Sequence, residues 1–415
     1  MIFSQSSPVL RRRRRDLWVT GAIALVSVGA IGGAVLTADI RQASLSTNDV
    51  PRAEAPAEWS APPEKLTEAF RVDSPNPAAG PRGIVSQDVL IAAAESGVTA
   101  YTDKGEVAWE YSRGDAPLCS VATAWDKVVM TFRTGVGCGD TVAIDAATGQ
   151  YAGTRSAINS PEVVPISSND RVGTVSSDRV DIWRSDMVRT VEYGNVEAKQ
   201  EPGLQPQEGC SINSALTRTE LLVVSETCPQ EPDVNWLRFQ KTTPEDSRAP
   251  ELNKSVAINA EGVRLVAVGQ SGATVYVPGP EPQLISYDDN GVKLAQSTVE
   301  PSPAINESST PFASETADLP HHISWFDGQT LYLLTPSSLD VDRSFDDALG
   351  TGIAVGGRLL YPTDKGIAVA NWSTGKVERT IPVDRGSYDG PVALSLAGEA
   401  IIETRGKELV TFHAG

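Results

Sequence analysis

The chain has 415 residues, with 53 acidic side chains against 35 lysines and arginines and a formal net charge of −18. An acidic surface repels polyanions, so this composition argues against nucleic acid as a partner and against charge-driven binding of anionic lipid headgroups. The four cysteines include no C-x-x-C pair and the three histidines do not cluster with them, which argues against a zinc module.

The N-terminus carries a basic block followed by an uncharged, mostly apolar run. Five arginines at positions 11–15 precede the 22 residues 17–38. At about 1.5 Å per helical residue this run spans roughly 33 Å, enough for the hydrocarbon core of a bilayer. Positive charges stay on the cytoplasmic side, so we expect a cytoplasmic tail over residues 1–16, a transmembrane helix over 17–38 and an extracytoplasmic remainder. The chain is therefore expected to be a single-pass protein of the cell membrane.

A cleaved secretory signal is the alternative interpretation of this N-terminus. Such a signal has a similar basic start, but a shorter apolar centre and small residues at its cleavage site. Here the apolar run is long, and its end, Val35-Leu36-Thr37-Ala38, is a poor small-x-small site. The sequence favours an uncleaved signal-anchor.

Residues 39–64 are rich in Ala, Pro, Ser and charged side chains, and Trp59 is their main large apolar residue. Such a segment buries too little apolar surface to offset the entropy lost on ordering. We therefore predict a flexible linker that holds the next domain away from the bilayer.

Residues 65–415 consist of short apolar runs separated by Gly, Asp, Asn, Ser and Pro, with no sustained helical period. This pattern predicts an all-β domain. The runs form units of four strands that recur about every 40 residues. Four turns share an Asp, Asn or Ser-rich approach to a closing glycine, which supplies the positive φ of a tight hairpin. These turns are 101–105, 144–149, 287–291 and 371–375.

Residues 142–150, Val-Ala-Ile-Asp-Ala-Ala-Thr-Gly-Gln, resemble the repeat of the pyrroloquinoline-quinone-like (PQQ-like) β-propellers, in which this strand and turn precede a final strand bearing tryptophan. The resemblance implies blades of four antiparallel strands arranged radially. Eight blades are expected, with seven as the alternative because the sixth unit is short. The units are 84–113, 118–157, 162–194, 210–256, 262–299, 321–349, 352–384 and 391–413.

The two ends of the β domain complement each other. The last unit has only three strands, whereas residues 66–72 form an isolated strand before the first unit. If the isolated strand supplies the missing outer strand of the last unit, the ring closes and an exposed sheet edge disappears.

The cysteines occupy matching places in two units. Cys119 and Cys210 lie near the start of one predicted strand, and Cys138 and Cys228 lie just beyond the end of the next. Antiparallel pairing brings these positions together, so we predict the disulfides Cys119–Cys138 and Cys210–Cys228. A disulfide that closes a loop of this size stabilises the folded state by about 3 kcal/mol. Stable disulfides also indicate an oxidising compartment.

No group of residues points to catalysis. His321 and His322 are interpreted as residues at the start of a strand, and in residues 340–347 Phe345 stands where a calcium loop of the EF type needs glycine. The enzymes among PQQ-like propellers hold their quinone with dedicated polar groups, a calcium ion and often a disulfide between adjacent cysteines. None of these can be placed on this sequence. We therefore predict no catalytic, cofactor-binding or metal-binding residue and no cofactor.

Two longer segments, 227–236 and 301–320, interrupt the repeat and are candidate binding loops. A ring of repeats on one anchor, without a catalytic group, predicts a protein-interaction scaffold or an accessory subunit of an envelope or membrane complex. Its partners are then other membrane or envelope proteins, and the bilayer through the N-terminal helix. Among propellers with similar repeats, the lipoprotein propeller of outer-membrane assembly is a non-enzymatic example. The alternatives are an exported enzyme or small-ligand sensor with a site in the central channel, and a structural subunit that is bound through its membrane helix.

Overall fold

Eight antiparallel sheets arranged in a ring make up most of the molecule. The computed structural model describes residues 13–50, 59–80, 82–114, 116–197, 199 and 201–415. Seven sheets have four strands and the sheet of blade 1 has five, so the predicted all-β fold and the eight blades are confirmed. Most of the tail predicted over residues 1–16 lies outside the described residues.

The N-terminal helix spans Arg14–Leu36, and none of its residues is buried. With a mean hydropathy of 2.1 it is long and apolar enough to cross a membrane. It ends where Thr37 leaves the helical conformation, and a short 3₁₀ turn, Asp39–Gln42, follows.

Each blade runs from an inner strand beside the central channel to an outer strand at the rim. The strands of blades 1 to 4 are Ile84–Ser86, Val89–Ala94, Gly97–Tyr101 and Val107–Arg113; Leu118–Ala124, Lys127–Thr134, Gly137–Asp145 and Tyr151–Ser156; Val164–Ser168, Arg171–Val175, Arg179–Trp183 and Arg189–Gly194; Ser211–Arg218, Leu221–Cys228, Glu231–Lys241 and Leu252–Ile258. Those of blades 5 to 8 are Arg264–Val268, Gly272–Val277, Gln283–Asp288 and Lys293–Thr298; Thr316–Asp318, Ile323–Phe326, Leu331–Leu334 and Val341–Phe345; Ile353–Val355, Arg358–Thr363, Gly366–Ala370 and Val377–Pro382; Val392–Ala397, Ala400–Arg405, Glu408–Ala414 and the strand that precedes blade 1, Leu66–Asp73.

All eight inner strands begin on the same face of the ring, because every blade repeats the same path. We call this the starting face. It also carries the turn between the second and third strand of each blade and the end of each outer strand. The opposite face carries the turn that precedes each outer strand.

The ring is closed by pairing its two ends. Leu66–Asp73, called here the closing strand, runs antiparallel to Glu408–Ala414, from Leu66 opposite Ala414 to Asp73 opposite Glu408. The predicted closure is therefore confirmed. It gives blade 8 its fourth strand and covers the edge that blade 8 would otherwise expose.

The linker predicted over residues 39–64 differs from the structure near its start. Ala43–Thr47, called here the edge strand, is a fifth strand on blade 1 and pairs antiparallel with Val107–Arg113. Only Ala43 and Leu45 of this strand pack against the core, so its apolar content is too low to separate it from a linker by composition.

The end of this segment is also ordered. Trp59 packs against the core between blades 7 and 8, and the Nη2 atom of Arg379 donates hydrogen bonds to the backbone oxygens of Pro62 and Pro63, at 2.8 Å each. Residues 51–58 lie outside the described residues. The prediction of a flexible linker over the whole of 39–64 is thus wrong at both ends.

The two segments interpreted as inserts lie partly within blades. Residues 227–236 prolong the hairpin between Leu221–Cys228 and Glu231–Lys241. Residues 301–320 contain the short helix Pro303–Asn306 and the inner strand of blade 6, Thr316–Asp318. This strand precedes residue 321, so the predicted unit 321–349 began too late and was short because it omitted its inner strand.

The repeat motif at residues 142–150 forms the contact between blades 1 and 2. Asp145 Oδ1 accepts a hydrogen bond from the backbone N–H of Thr148 at 2.7 Å, and Gly149 closes the turn with φ +68°. Trp109 of blade 1 lies over this turn and donates from Nε1 to the backbone oxygen of Ala146 at 3.0 Å. The tryptophan of one blade therefore docks on the glycine turn of the next.

Candidate functional site

The inner strands surround a central channel. Two adjoining cavities of about 580 and 620 Å³ share Arg82, Thr123, Ser167 and Thr316 in their walls, so they are two parts of one channel. Their size is typical of small-molecule sites in proteins.

Residues 307–315 cross from blade 5 toward the start of blade 6, and Phe312, Ala313 and Ser314 line the channel. The backbone N–H of Phe312 donates to the oxygen of Asn213 in blade 4 at 2.8 Å. The hydroxyl of Ser314 donates to the backbone oxygen of Val266 in blade 5 at 2.9 Å. The segment that the sequence marked as a loop therefore forms part of the channel wall at the starting face.

Arg82 and Glu315 place two opposite charges in the channel wall. Arg82 Nη1 donates to the backbone oxygen of Thr316 and Nη2 to that of Leu394, each at 3.3 Å, so the side chain joins blades 6 and 8. Burial lowers the pKa of the Arg82 guanidinium, and the charge of Glu315 opposes this shift. Burial raises the pKa of the Glu315 carboxyl to about 7, although the charge of Arg82 favours the ionised form.

The wall of the channel carries several polar side chains. It presents the hydroxyls of Thr123, Ser167 and Thr217 together with the amide of Gln270, all of which can hydrogen-bond a polar molecule. Among the described residues that line the two cavities there is no histidine and no cysteine. The channel is large enough for a small molecule, and Arg82 lines it together with the charged side chains of Asp170, Arg218 and Asp318.

The cysteines that the sequence singled out lie outside the walls of these cavities. The structure joins Cys119 to Cys138 and Cys210 to Cys228, with Cα atoms 6.0 and 4.2 Å apart. Both bonds lie toward the starting face and fasten strands within one blade, not between blades. Their oxidation in the cell stays a prediction, which mass analysis of non-reduced peptides would check.

Glu226 lies within 4.8 Å of the second cysteine pair, a spacing that would suit a metal ion. The sulfurs of Cys210 and Cys228 are bonded to each other. Glu226 is fully buried and accepts hydrogen bonds from Tyr193 Oη at 2.7 Å and from Arg238 Nε at 2.8 Å. This cluster is therefore a hydrogen-bonded part of the core of blade 4.

The histidine pair and the acidic segment 340–347 meet in blade 6. His322 lies with Nε2 2.9 Å from Asp342 Oδ2, and its ring stacks on Trp372 of blade 7. Asp342 belongs to the outer strand Val341–Phe345, so this segment is a strand and not a calcium-binding loop. The histidine fastens blade 6 to blade 7.

Sequence reasoning missed Arg82 and Glu315. They are 233 positions apart in the chain, and each lies in an irregular segment just before an inner strand. Only the ring places the starts of blades 1 and 6 beside the same channel. A correct prediction of the first strand of blade 6 would have placed Glu315 at the channel, because this residue directly precedes that strand.

Solved structures of other proteins share the fold of this chain. No family model matches the chain, and no curated protein matches it in sequence. The quinohemoprotein alcohol dehydrogenase ADHIIG from Pseudomonas putida HK5 superposes with a TM-score of 0.52 at 12% identity, over 84% of this chain and 76% of that one. BamB from Moraxella catarrhalis gives 0.49 at 13% identity, over 84% and 99%. A chain of the Mitotic Checkpoint Complex gives 0.44 at 11%, over 88% and 96%. The likeness to the dehydrogenase supports the PQQ-like resemblance at the level of the fold alone.

Proposed function

We propose that this chain is a membrane-anchored, extracytoplasmic β-propeller that acts as a protein-interaction scaffold or accessory subunit of an envelope or membrane complex. The N-terminal helix spans the bilayer with residues 1–16 in the cytoplasm, and the propeller domain of residues 65–415 lies outside. The arginine block and the uncharged helix support this orientation, and the two disulfides fit an oxidising compartment.

The edge strand is the observation that carries the scaffold function. It shows that the outer rim of this ring accepts an added strand through backbone pairing, from Ala43 opposite Arg113 to Thr47 opposite Trp109. Strand addition to a free sheet edge is a common way to bind a protein partner.

Blade 5 offers the same kind of edge to another protein. Its outer strand, Lys293–Thr298, is the last of four strands in its sheet. Val292 and Leu294, at the start of this strand, are 59% and 39% exposed. A backbone edge flanked by exposed apolar side chains fits a strand from another membrane or envelope protein.

Affinity purification of the full-length protein after cross-linking in intact membranes tests this function. We expect the wild type to recover a membrane or envelope protein, and the double variant Val292→Lys with Leu294→Lys to lose it, because lysines block edge pairing. Val188→Lys is the matched control, since Val188 is also exposed before an outer strand, in blade 3. Recovery of a clean monomer from the wild type would contradict the scaffold function.

A second experiment separates the scaffold from a structural subunit bound through its helix. The N-terminal helix is replaced by an unrelated transmembrane helix of the same length. If the propeller binds the partner, the partner is still recovered. Loss of the partner in this exchange alone would assign the contact to the helix.

The channel favours one alternative, an exported enzyme or small-ligand sensor. The cavities of about 580 and 620 Å³ and the Arg82 guanidinium are the observations behind it. Native mass spectrometry of the purified protein would show a bound small molecule, and Arg82→Gln would lower its occupancy. Detection of such a ligand, together with recovery of a monomer, would favour this alternative.

A further inference from the structure

A very short connection separates the N-terminal helix from the propeller. The uncharged run ends at Ala38, and the backbone oxygen of Gln42 already accepts a hydrogen bond from Gly114 N–H of blade 1 at 2.9 Å. Four Cα steps reach at most about 14 Å, and the 3₁₀ turn between these residues shortens that distance. The polar headgroup region on each side of a bilayer is about 5–7 Å thick. Blade 1 is therefore held beside the headgroups.

The helix joins the ring at the starting face. The first residue of the edge strand, Ala43, lies opposite Arg113, which ends the outer strand of blade 1 on that face. The last residue, Thr47, lies opposite Trp109, farther toward the opposite face. The part of the propeller nearest the membrane is thus the starting face of blade 1.

A continuous set of contacts leads from this point to two exposed apolar side chains of blade 2. Arg113 Nη1 lies 2.7 Å from Asp140 Oδ2, and Asp140 pairs with Ser156 at the end of blade 2. Ile158 follows two residues later and is 48% exposed. Val136, 46% exposed, is its neighbour, since the backbone oxygen of Val136 accepts from Asn159 N–H at 3.1 Å.

The distribution of exposed apolar residues sets this pair apart. Among the described residues after the N-terminal helix, Val136 and Ile158 are the large apolar side chains exposed on the starting face. The others stand at or near the start of an outer strand, toward the opposite face: Tyr151, Val188, Val292, Leu294 and Val377. The chain beyond residue 38 carries a net charge of −22, so electrostatic attraction to anionic lipid does not bring this face to the membrane.

We infer that Val136 and Ile158 enter the lipid interface and hold the starting face of blades 1 and 2 against the bilayer. The inference rests on the proposed membrane anchoring. The covalent connection brings the pair to the membrane, and burial of two apolar side chains in the interface then stabilises the orientation. A partner protein must accordingly bind to blades that point away from the bilayer, such as blade 5 on the far side of the ring.

Depth-dependent fluorescence quenching tests this orientation on the full-length protein in nanodiscs of phosphatidylcholine. The variants Val136→Cys, Ile158→Cys and Val292→Cys each add one free thiol, because the four native cysteines are bonded. Each thiol carries the same environment-sensitive dye, and a lipid with a nitroxide just below its headgroup is the quencher. We expect several-fold stronger quenching at 136 and 158 than at 292, which lies on the opposite face. Equal quenching at all three sites would overturn the inference.

Two further measurements separate this inference from the anchoring on which it rests. Alkaline extraction of native membranes comes first, and release of the protein would contradict the anchoring itself. If the protein resists extraction, the second measurement uses a variant with a flexible insertion of about 20 Gly and Ser residues after Ala38. The insertion lets the ring move away from the bilayer, because the end-to-end distance of such a linker is roughly 5–6 Å times the square root of its number of residues. Quenching at 136 and 158 should then fall toward the value at 292. Unchanged strong quenching in this variant would show that the short connection is not what places the ring.

Discussion

At the scale of single residues, the repeat motif has a physical explanation in the contact between blades. The left-handed conformation of Gly149 lets the turn of blade 2 approach Trp109 of blade 1 without a side chain between them. A Cβ atom at position 149 would lie 2.8 Å from Trp109 Cβ and 2.8 Å from Thr47 Cγ2. The glycine therefore serves the turn and the contact with the neighbouring blade at once.

Gly149→Ala should destabilise the propeller more than an equivalent substitution in an open turn. The left-handed conformation costs alanine about 1–2 kcal/mol, and displacement of packed neighbours adds about 1–3 kcal/mol. Gly203→Ala is the control, because Gly203 has φ +81° with no atom near the new Cβ. We expect the melting temperature to fall clearly more for Gly149→Ala than for Gly203→Ala. Equal shifts would show that the turn, and not the contact between blades, requires glycine.

Glu315 gives the stability of the propeller a specific dependence on pH. Its carboxyl pKa is raised by burial from 4.5 to about 7, so the folded chain binds this proton more readily than the unfolded chain. The contribution of Glu315 to the free energy of unfolding is fully present below about pH 4.5 and declines as the pH rises to about 7. A pKa difference of one between the folded and unfolded chain corresponds to about 1.4 kcal/mol. Solvent in the channel reduces the total effect on the free energy of unfolding, which we expect to be about 1–3 kcal/mol.

Glu315→Gln removes this titration and so isolates the effect. The stability of the wild type relative to the variant should fall between pH 4.5 and 7 and stay constant above pH 7, as followed by melting temperatures across that range. Glu378→Gln is the control, since a hydrogen bond from Arg358 lowers the pKa of the Glu378 carboxyl. The stability of the wild type relative to Glu378→Gln should not decline as the pH rises. The same pH trend in both comparisons would contradict the role given to Glu315.

At the scale of elements, two added strands at the rim have different consequences. The closing strand completes blade 8 and joins the two ends of the domain. The edge strand adds to a blade that already has its four strands. Leu66, Phe70 and Val72 of the closing strand pack against the cores of blades 7, 8 and 1. The closing strand therefore completes the ring, whereas the edge strand is an addition to a blade that is already complete.

Deletion of residues 65–73 should therefore destabilise the whole propeller. Loss of three partly buried apolar side chains costs about 3–5 kcal/mol as an upper range, a large part of the 5–15 kcal/mol that is typical of a domain. Deletion of residues 42–48 in the full-length protein is the matched control and should lower the melting temperature much less. If the first deletion melted like the intact protein, the closure would not stabilise the ring.

The sequence allowed prediction of those elements that are marked by apolar alternation or by characteristic turn residues. The units, the glycine turns such as 144–149 and the closing strand all combine apolar alternation with turn residues, so they could be counted. The edge strand could not, because a strand on an exposed rim buries almost nothing. The first strand of blade 6 has three residues, too few for alternation to show, and for the same reason the charges at Arg82 and Glu315 could not be placed in the channel.

At the scale of the whole molecule, two independent properties support the proposed orientation across the membrane. The arginines at 11–15 favour a cytoplasmic N-terminus because of the positive-inside bias. The disulfides of blades 2 and 4 require a compartment that does not reduce them, and this argument makes no use of the helix. Both properties support the proposal that the propeller lies outside the cytoplasm.

Reporter fusions after Gly415 test this orientation directly. Alkaline phosphatase, which needs its own disulfides, should be active there, whereas a fluorescent protein that matures only in the cytoplasm should stay dark. Replacement of the five arginines at 11–15 by glutamate removes the charge bias without changing the apolar helix, so phosphatase activity should drop in that variant. A bright cytoplasmic reporter on the wild-type chain would overturn the orientation. The propeller would then lie in a reducing compartment, where Cys119–Cys138 and Cys210–Cys228 would not persist, and the proposed contact of blade 2 would concern the inner leaflet.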